Sequence, residues 1–277
     1  MLRSLCVTLC TVVLGTFATA QGNLELGVNL GGSLYNGDLS PAFNRDYPKF
    51  LEPAAGVFLR TDFSRRFSGR LHFHQTRLRG SDIETGRNFR NLNFRNNISE
   101  LGAFLEWNFA NINTANGSIQ LFLEAGVAAF HHNPKTFYQG TFIELQPLGT
   151  EGQGIPGFAD NYNKIQYAFP GGGGIKIPVS PNMKVTLEAA ARKLFFDYID
   201  DVGTAIVTYD ELLVGNGQLA TELHDRTFEL LGEEPGPFRT GPRGGNFDDW
   251  YYIFTVGVSW NLRVTSTGGM GARCPKF

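Results

Sequence analysis

Two pairs of histidines are the residues whose type and spacing first suggest chemistry. His72 and His74 form a His-x-His pair, and on a strand this spacing places both imidazoles on one side, as a metal site requires. His131 and His132 stand where a long polar segment begins. Neither pair is accompanied by cysteine or by Asp and Glu at ligand spacing, so we expect polar contacts in the interior or in loops. The sequence therefore predicts no metal site and no cofactor.

A hydrolytic or acyl-transfer site would need a nucleophile beside an acid or a base. Ser81 and Asp82 could form such a site with His131 and His132 if the segments that carry them converged. No serine motif supports this arrangement, and polar segments of this length contain such residues without any catalytic role. We therefore expect a protein that is not an enzyme and that has no catalytic residues.

The first 20 residues have the features of a cleaved secretory signal peptide. Arg3 precedes an apolar run over 5–17, and Ala18-Thr19-Ala20 supplies the small residues that a signal peptidase needs. The apolar run is too short to span a bilayer. A lipoprotein signal with Cys10 as the lipid acceptor is the alternative, although the residues before Cys10 are not the usual small ones.

One cysteine remains after removal of this signal, because Cys6 and Cys10 lie within it. A single thiol in an oxidising compartment cannot pair within its own chain, so Cys274 is a candidate for a bond to another protein. It lies in a Gly-rich tail over 263–277, and a disordered end with an incidental cysteine is the alternative. The predicted tail contacts beside the cysteine are Arg273, Pro275, Lys276 and Phe277.

The dominant period of the mature chain is two, which predicts strands rather than helices. In 98–109, for example, Leu101 and Trp107 alternate with Glu100 and Glu106. No later apolar run approaches the length of a transmembrane helix. The predicted strands are 24–31, 54–63, 70–79, 98–109, 119–129, 166–178, 184–192 and 250–262.

The connections alternate between short and long, which is typical of a transmembrane β-barrel. A strand of about ten residues, tilted by about 40°, spans an apolar band about 25 Å tall. We predict an all-β fold, an eight-stranded antiparallel transmembrane barrel over 21–262, with short periplasmic turns, long extracellular loops and both termini in the periplasm. A soluble β-sandwich or lipocalin-like barrel is the alternative. The short connections are 64–69, 110–117 and 179–182, and the long ones are 35–53, 80–97, 131–165 and 196–249.

A barrel of eight strands has side chains rather than a pore in its interior. Its inward charges must pair, so we expect an ionic network that serves packing rather than transport or catalysis. Four consecutive glycines, Gly171 to Gly174, predict a bulge or a sharp bend in their strand. The residues expected in the network are Glu100, Glu106, Glu124, Glu188, Arg60, Arg70, Lys176 and Arg192.

Two acidic pairs, Asp200-Asp201 and Asp248-Asp249, fall near the predicted outer rim. They could bind cations or another subunit, but we expect solvated loop ends. The net charge of −2 and the lack of a clustered basic segment argue against binding to nucleic acid.

Short segments throughout the mature chain carry a resemblance to a known family. They are Glu25 to Gly32, Tyr35 to Leu39, Leu78-Arg79-Gly80, Glu124 to Ala128, Pro170 to Gly174, Arg192 to Asp201, Asp225-Arg226, Asp248 to Tyr251, and the Cys274-Pro275 tail. Together they resemble the PorG-like outer-membrane barrel of the type IX secretion and gliding machinery of Bacteroidetes. The last strand also resembles the signal that barrel-assembly machinery reads, with Thr255, Gly257, Trp260 and Leu262 at the matching positions.

The resemblance implies a non-catalytic subunit that lies in outer-membrane lipid and anchors a periplasmic ring. The implied partners are a PorK-like ring lipoprotein and its PorN-like companion, and Cys274 is the position that would form an intermolecular disulfide with the lipoprotein. Two other classes remain open on the sequence. They are a lipid A-modifying enzyme with residues in the outer loops, and a surface-binding barrel that acts through 131–165 and 196–249.

Overall fold

Ten strands form in the described part of the chain, because runs of alternating polarity can bury one face and bond laterally to two neighbours. The structure is a computed structural model that describes residues 24–40, 47–85, 90–115, 117–245 and 248–262. The strands are β1 (Leu24–Asn36), β2 (Glu52–Asp62), β3 (Phe67–Ser81), β4 (Asn93–Thr114), β5 (Gly117–His131), β6 (Pro134–Tyr138), β7 (Thr141–Glu144), β8 (Ile165–Ser180), β9 (Met183–Leu194) and β10 (Trp250–Leu262).

Eight of these strands close into an antiparallel barrel. Each of β1 to β4 pairs with the next strand along the chain, β5 then pairs with β8, and β8, β9 and β10 continue the sheet. The barrel closes where β10 pairs with β1, from Leu24 opposite Leu262 to Asn36 opposite Trp250. The predicted eight-stranded antiparallel barrel is therefore confirmed, and every predicted strand lies within or overlaps an observed one.

The remaining elements lie at one end of the barrel, in the connections that the sequence predicts to be long. The hairpin β6–β7 extends the sheet outward from the start of β4. Two 3-10 turns occur at Tyr47–Phe50 and Gln146–Leu148. Among the described residues, no helix is long and apolar enough to cross a membrane. The helices are α1 (Asp82–Thr85), α2 (Tyr209–Asn216), α3 (Gln218–His224) and α4 (Thr227–Leu231).

The barrel has its apolar side chains on the outside and its charges on the inside. Leu30, Leu101 and Val256 expose 68%, 62% and 55% of their surface, whereas the inward Glu100 and Arg60 are fully buried. A soluble barrel has the opposite arrangement, since water would then contact the polar face. The outward belt therefore suits lipid, and aromatic side chains such as Trp107 lie at its edge, where an interfacial girdle is expected.

The four consecutive glycines form no bulge, so the expectation of a bulge among them is wrong. Gly171 to Gly174 pair in regular register with β5 and β9, and the irregularity in β8 falls later, between Pro178 and Ser180. Close packing explains the glycines. A Cβ at Gly174 would lie 2.0 Å from the Leu187 backbone oxygen, so only glycine permits this approach of neighbouring strands.

The outward belt gives a direct test of the membrane placement. Leu101 lies near the middle of β4 and faces outward, so Leu101→Arg should destabilise the barrel in lipid vesicles by about 2–4 kcal/mol, the cost of a charge at the bilayer midplane. Val214→Arg, on the highly exposed face of α2, is the matched control and should change stability little. Denaturant unfolding in vesicles measures both, and equal stabilities of the two variants would contradict a lipid-facing belt.

Candidate functional site

Ten charged side chains point into the barrel and form what we call the interior ladder. Alternate residues of a strand share a face, so the inward positions of neighbouring strands come into contact across the narrow interior. Arg60, Arg70, Arg192 and Lys176 are among the largest fully buried side chains of the described chain. The ladder consists of Glu25, Arg60, Arg70, Glu100, Glu106, Glu124, Lys176, Lys184, Glu188 and Arg192.

The ladder begins near the short-turn end of the barrel. Lys184 of β9 donates to Glu25 of β1, and Glu25 also pairs with Arg60 of β2 at 3.2 Å. Arg60 Nε lies 2.9 Å from a carboxylate oxygen of Glu106 on β4. Lys176 of β8 contacts the same carboxylate. Five strands are thus joined across the interior by ion pairs as well as around its wall by backbone bonds.

Arg70 of β3 occupies the centre of the ladder. Its guanidinium Nε lies 3.3 Å from Glu106, its Nη2 lies 2.6 Å from Glu124, and its Nη1 donates to Glu188. A planar guanidinium has five N–H donors and can bind several carboxylates at once. A lysine ammonium has three donors and cannot reproduce this planar geometry. The Phe104 ring beneath Arg70, at 4.9 Å, covers its apolar face.

The ladder is balanced, with five carboxylates and five cations among its defined residues. Buried ions are tolerated only when they are paired and hydrogen-bonded, so this balance is what allows so much charge inside. The large side chains occupy the space that a channel would need. The arrangement therefore serves packing and rigidity, as the sequence predicted for its eight named members.

A second inward cluster joins the predicted histidine pair to a carboxylate. His72 Nε2 lies 2.8 Å from Glu100 Oε1, and His74 Nε2 lies 2.9 Å from Asn29 Oδ1. Ligand atoms of His72, His74 and Glu100 lie within 4.8 Å of one another, so the expectation that no carboxylate accompanies this pair is wrong. Glu100 lies on β4, beside β3, and sequence spacing does not report that proximity.

Charge argues against a divalent ion in this histidine cluster. Glu100 already pairs with Arg192 at 3.3 Å and accepts a hydrogen bond from the Tyr251 hydroxyl. Because the ladder is balanced, a metal there would add two uncompensated charges to a buried interior. The histidines act instead as neutral hydrogen-bonding groups that fill space beside the ladder.

An acidic cluster closes the long-loop end of the barrel. The Tyr35 hydroxyl lies 2.6 Å from Asp200 Oδ2 and 2.8 Å from Asp249 Oδ1, and all three side chains are buried. One hydroxyl proton can be donated to only one of the two carboxyls. The other contact therefore needs a proton on an aspartic acid. Backbone N–H groups of Ile199 and Val202 satisfy the remaining oxygens.

Arg243 holds the loops beside this cluster. Its Nε donates to Glu151 at 2.9 Å, and its Nη2 donates to the Thr150 hydroxyl at 2.7 Å. Asp201 lies 3.7 Å from the guanidinium and accepts hydrogen bonds from Thr150 and Tyr162. The segments around 150, 201 and 243 are thereby joined into a cap over the barrel.

Burial raises the pKa of the acidic groups in the cap. The pKa values of Asp200 and Asp249 lie well above the usual range because both carboxyls are desolvated and neighbouring carboxyls repel a second charge. Burial also raises the pKa of Asp201 to about 6, although Arg243 opposes the shift, and raises that of Asp197 to about 7. The expectation of solvated loop ends is therefore wrong for Asp200, Asp201 and Asp249, while Asp248 is exposed.

The other predicted groups at this end of the barrel do not form a catalytic set. Asp82 pairs with Arg90 at 2.7 Å. His132 is buried against the Tyr162 ring, and its Nε2 bonds to the Asn163 carbonyl at 3.1 Å, whereas His131 is exposed. None of the contacts of the described residues joins Ser81 or Asp82 to His132. The tail residues Arg273, Cys274, Pro275, Lys276 and Phe277, and the predicted signal 1–20, lie outside the described residues.

Several residues of the interior and the cap were missed by the sequence analysis. Glu25 and Lys184 occupy inward positions of the period-two pattern, so the pattern could have placed them in the ladder. Tyr35 could have been found in the same way once β1 was extended to Asn36. Glu151 and Arg243 lie in irregular loops 92 residues apart, and no local pattern predicts their contact.

Comparison with known proteins adds a family and a set of similar barrels. Residues 3–222 match the model of a family described as a domain of unknown function, DUF6089. The comparison with curated proteins gave no match. Ail, the attachment invasion locus protein of Yersinia pestis, is similar at 10% identity and a TM-score of 0.42, over 87% of this chain and 99% of that one.

Two further solved structures show the same degree of likeness. Neisserial surface protein A is similar at 6% identity and a TM-score of 0.40, over 86% of this chain and 97% of that one. The N-terminal β-barrel domain of Pseudomonas aeruginosa OprF is similar at 10% identity and a TM-score of 0.36, over 87% and 100%. At these values the likeness carries no argument about ligand or partner.

The ladder predicts a large penalty for removing one of its anions. Glu106→Gln leaves Arg60, Arg70 and Lys176 without a shared counter-ion, and breaking a buried pair in this way costs about 3–5 kcal/mol. Glu84→Gln removes a half-exposed partner of Arg79 and should cost about 0–1 kcal/mol. Urea unfolding of both variants in vesicles checks the difference, and a small effect of Glu106→Gln would refute the stabilising role of the ladder.

The raised pKa values predict that the cap is more stable at low pH. A carboxyl whose folded pKa exceeds its unfolded value of about 3.8 contributes stability below pH 4 that is lost as pH rises through about 6 to 7. Each pH unit in that window costs at most about 1.4 kcal/mol for each such carboxyl. The melting temperature should therefore fall between pH 4.5 and 8.

Asp200→Asn mimics the protonated acid and should flatten this dependence, whereas Asp210→Asn, on the exposed start of α2, should preserve it. Thermal melts of the wild type and both variants across the pH range measure the effect. A wild-type melting temperature that rises with pH would exclude a protonated cluster.

Proposed function

This chain belongs to the DUF6089 family, and from that premise we propose that it is a non-catalytic outer-membrane component of a type IX secretion system. Its role is to anchor a periplasmic lipoprotein ring to the membrane. The observation that supports this proposal above all is the filled interior. A barrel whose centre is occupied by the ladder and whose end is covered by a cap provides a fixed position in a membrane rather than a route through it.

Location in the outer membrane is supported by the outward apolar belt. Closed β-barrels with apolar outer surfaces satisfy all backbone hydrogen bonds in lipid without an exposed edge. The first and last residues of the barrel, Leu24 and Leu262, pair with each other, and Leu24 also pairs with Thr61 next to the first short turn. The short turns and the two chain termini of the barrel therefore lie at the same end. In such proteins the short turns face the periplasm. The tail after Leu262 would then start on the periplasmic side, where a ring could be bound.

The anchoring bond that we propose is an intermolecular disulfide from Cys274. This cysteine is the one that remains if residues 1–20 are removed, and the PorG-like resemblance implies a ring lipoprotein of the PorK type, with its PorN-like companion, as its partner. The residues that would supply the neighbouring contacts are Arg273, Pro275, Lys276 and Phe277.

A non-reducing gel of membranes tests the anchor. The wild type should migrate as a higher-mass band that reduction removes, and Cys274→Ser should abolish the band. Met270→Ser, four residues earlier in the same tail and outside the proposed contacts, is the matched control and should retain it. A monomeric wild-type band without reductant, with the protein present in the membrane, would refute the disulfide.

A deletion strain distinguishes the anchor from the two other functions that the sequence leaves open. Deletion of the gene should impair secretion and release the ring lipoprotein from outer-membrane fractions while leaving lipid A unchanged. An altered lipid A mass with normal secretion would instead favour a lipid A-modifying enzyme. Loss of surface adhesion alone would favour a surface-binding barrel.

A further inference from the structure

A row of like charges faces outward at the long-loop end of the barrel. Arg79 of β3 lies directly opposite Arg95 of β4, and Arg95 lies directly opposite Lys135 of β6. Arg77 belongs to the same face, two residues before Arg79. We call these four residues the basic row. Like charges at directly opposed positions destabilise a sheet, so we expect carboxylates or a bound anion to neutralise the row.

The carboxylates near the basic row neutralise it only in part. Glu52 lies 2.9 Å from Arg79 and 3.8 Å from Arg77, and Glu84 also binds Arg79. Glu144 is shared between Lys135 and Lys164. Three carboxylates thus serve the row and Lys164, a total of five cations.

Arg95 is the cation of the row that this arrangement leaves unneutralised. It is exposed and stacks on the Phe142 ring at 4.8 Å, and it makes no ion pair with any described residue. The stack holds the guanidinium plane in place while leaving its donors open to the outside. A bound anion would relieve the repulsion that Arg95 experiences from both neighbours.

A shallow groove runs from the basic row toward the apolar belt. Leu30, Pro53 and Ala55 form its apolar floor and side, and Arg77 of the basic row lies at its other end beside Asn97. Arg77 Nε donates to Asn97 Oδ1 at 3.2 Å, which fixes its guanidinium above the groove. An elongated apolar chain fits the floor, and an anionic group on that chain would reach the arginines.

We propose that the basic row and this groove bind a phosphorylated, acylated glycolipid of the outer leaflet, of the lipid A type. The inference rests on the proposed outer-membrane location, with the long loops outside. Guanidinium groups bind phosphoryl oxygens in bidentate geometry, and two arginines at opposed positions match a charged phosphoryl headgroup. The acyl chain lies along Ala55 and Leu30. The exposed side chains next to the row, among them Phe137 and Phe142, suit the lipid interface.

Binding of bisphosphorylated lipid A to the purified full-length protein in detergent micelles tests the proposal. Arg95→Gln should weaken binding about tenfold, the effect of losing one charge-assisted contact, and Arg79→Gln with Arg95→Gln should weaken it further. Arg66→Gln is the matched control, because Arg66 is an exposed arginine at the opposite end of the barrel, and it should bind like the wild type. Wild-type affinity in Arg95→Gln, or equal affinity for dephosphorylated lipid A, would overturn the proposal.

A second pair of variants tests the groove separately from the charge. Ala55→Trp fills the groove and should weaken lipid A binding, whereas Val57→Trp, two residues along the same outward face and outside the groove, should not. Inorganic phosphate at concentrations equal to those of lipid A should not compete. Effective competition by phosphate, or no effect of Ala55→Trp, contradicts a lipid site.

A failure of lipid A binding can be distinguished from a failure of the proposed function. A protein that inserts into vesicles and forms the Cys274 disulfide but binds no lipid A overturns this inference alone. A chain that does not insert into vesicles overturns the membrane location itself.

Discussion

Balanced charge inside the barrel is the constraint on which the rest of the structure depends. A closed cylinder of eight strands has to fill a narrow interior, and this chain fills it with arginines and glutamates rather than with apolar groups. Such filling is stable only if each ion has partners, so the inward positions of all eight strands are coupled to one another. Arg70 illustrates this coupling, because three glutamates on three other strands converge on it.

The same constraint explains why the end of the barrel is covered. Asp200 and Asp249 are buried, and protons and hydroxyl groups such as that of Tyr35 make their burial possible where cations are few. Arg243 supplies a buried guanidinium that joins the cap segments to one another. The cap and the filled interior together make the barrel rigid, and rigidity is the property that the proposed anchor needs.

The fold could be predicted because its main signal is local. Alternation at every second residue predicts which side chains face lipid. The lengths of the connections predict which end of the barrel carries the short turns and which carries the long loops. Residues such as Glu106 and Arg60 followed from that pattern alone, since an inward charge has to meet another. Glu100 beside His72, and Arg243 beside Glu151, could not be predicted, because their proximity depends on strand register or on irregular loops.

The order of the ladder partners along the chain has a consequence for assembly. Glu25 binds Lys184, 159 residues later, and Arg70 binds Glu188, 118 residues later. Among the ladder residues, β1 to β5 carry four carboxylates and two cations, so part of this charge stays uncompensated until Lys176, Lys184 and Arg192 arrive, and lipid cannot solvate it. A half-built sheet would be unable to enter the hydrocarbon region by itself. We therefore expect insertion to be concerted, with the last strands closing the barrel and neutralising the charge of the first.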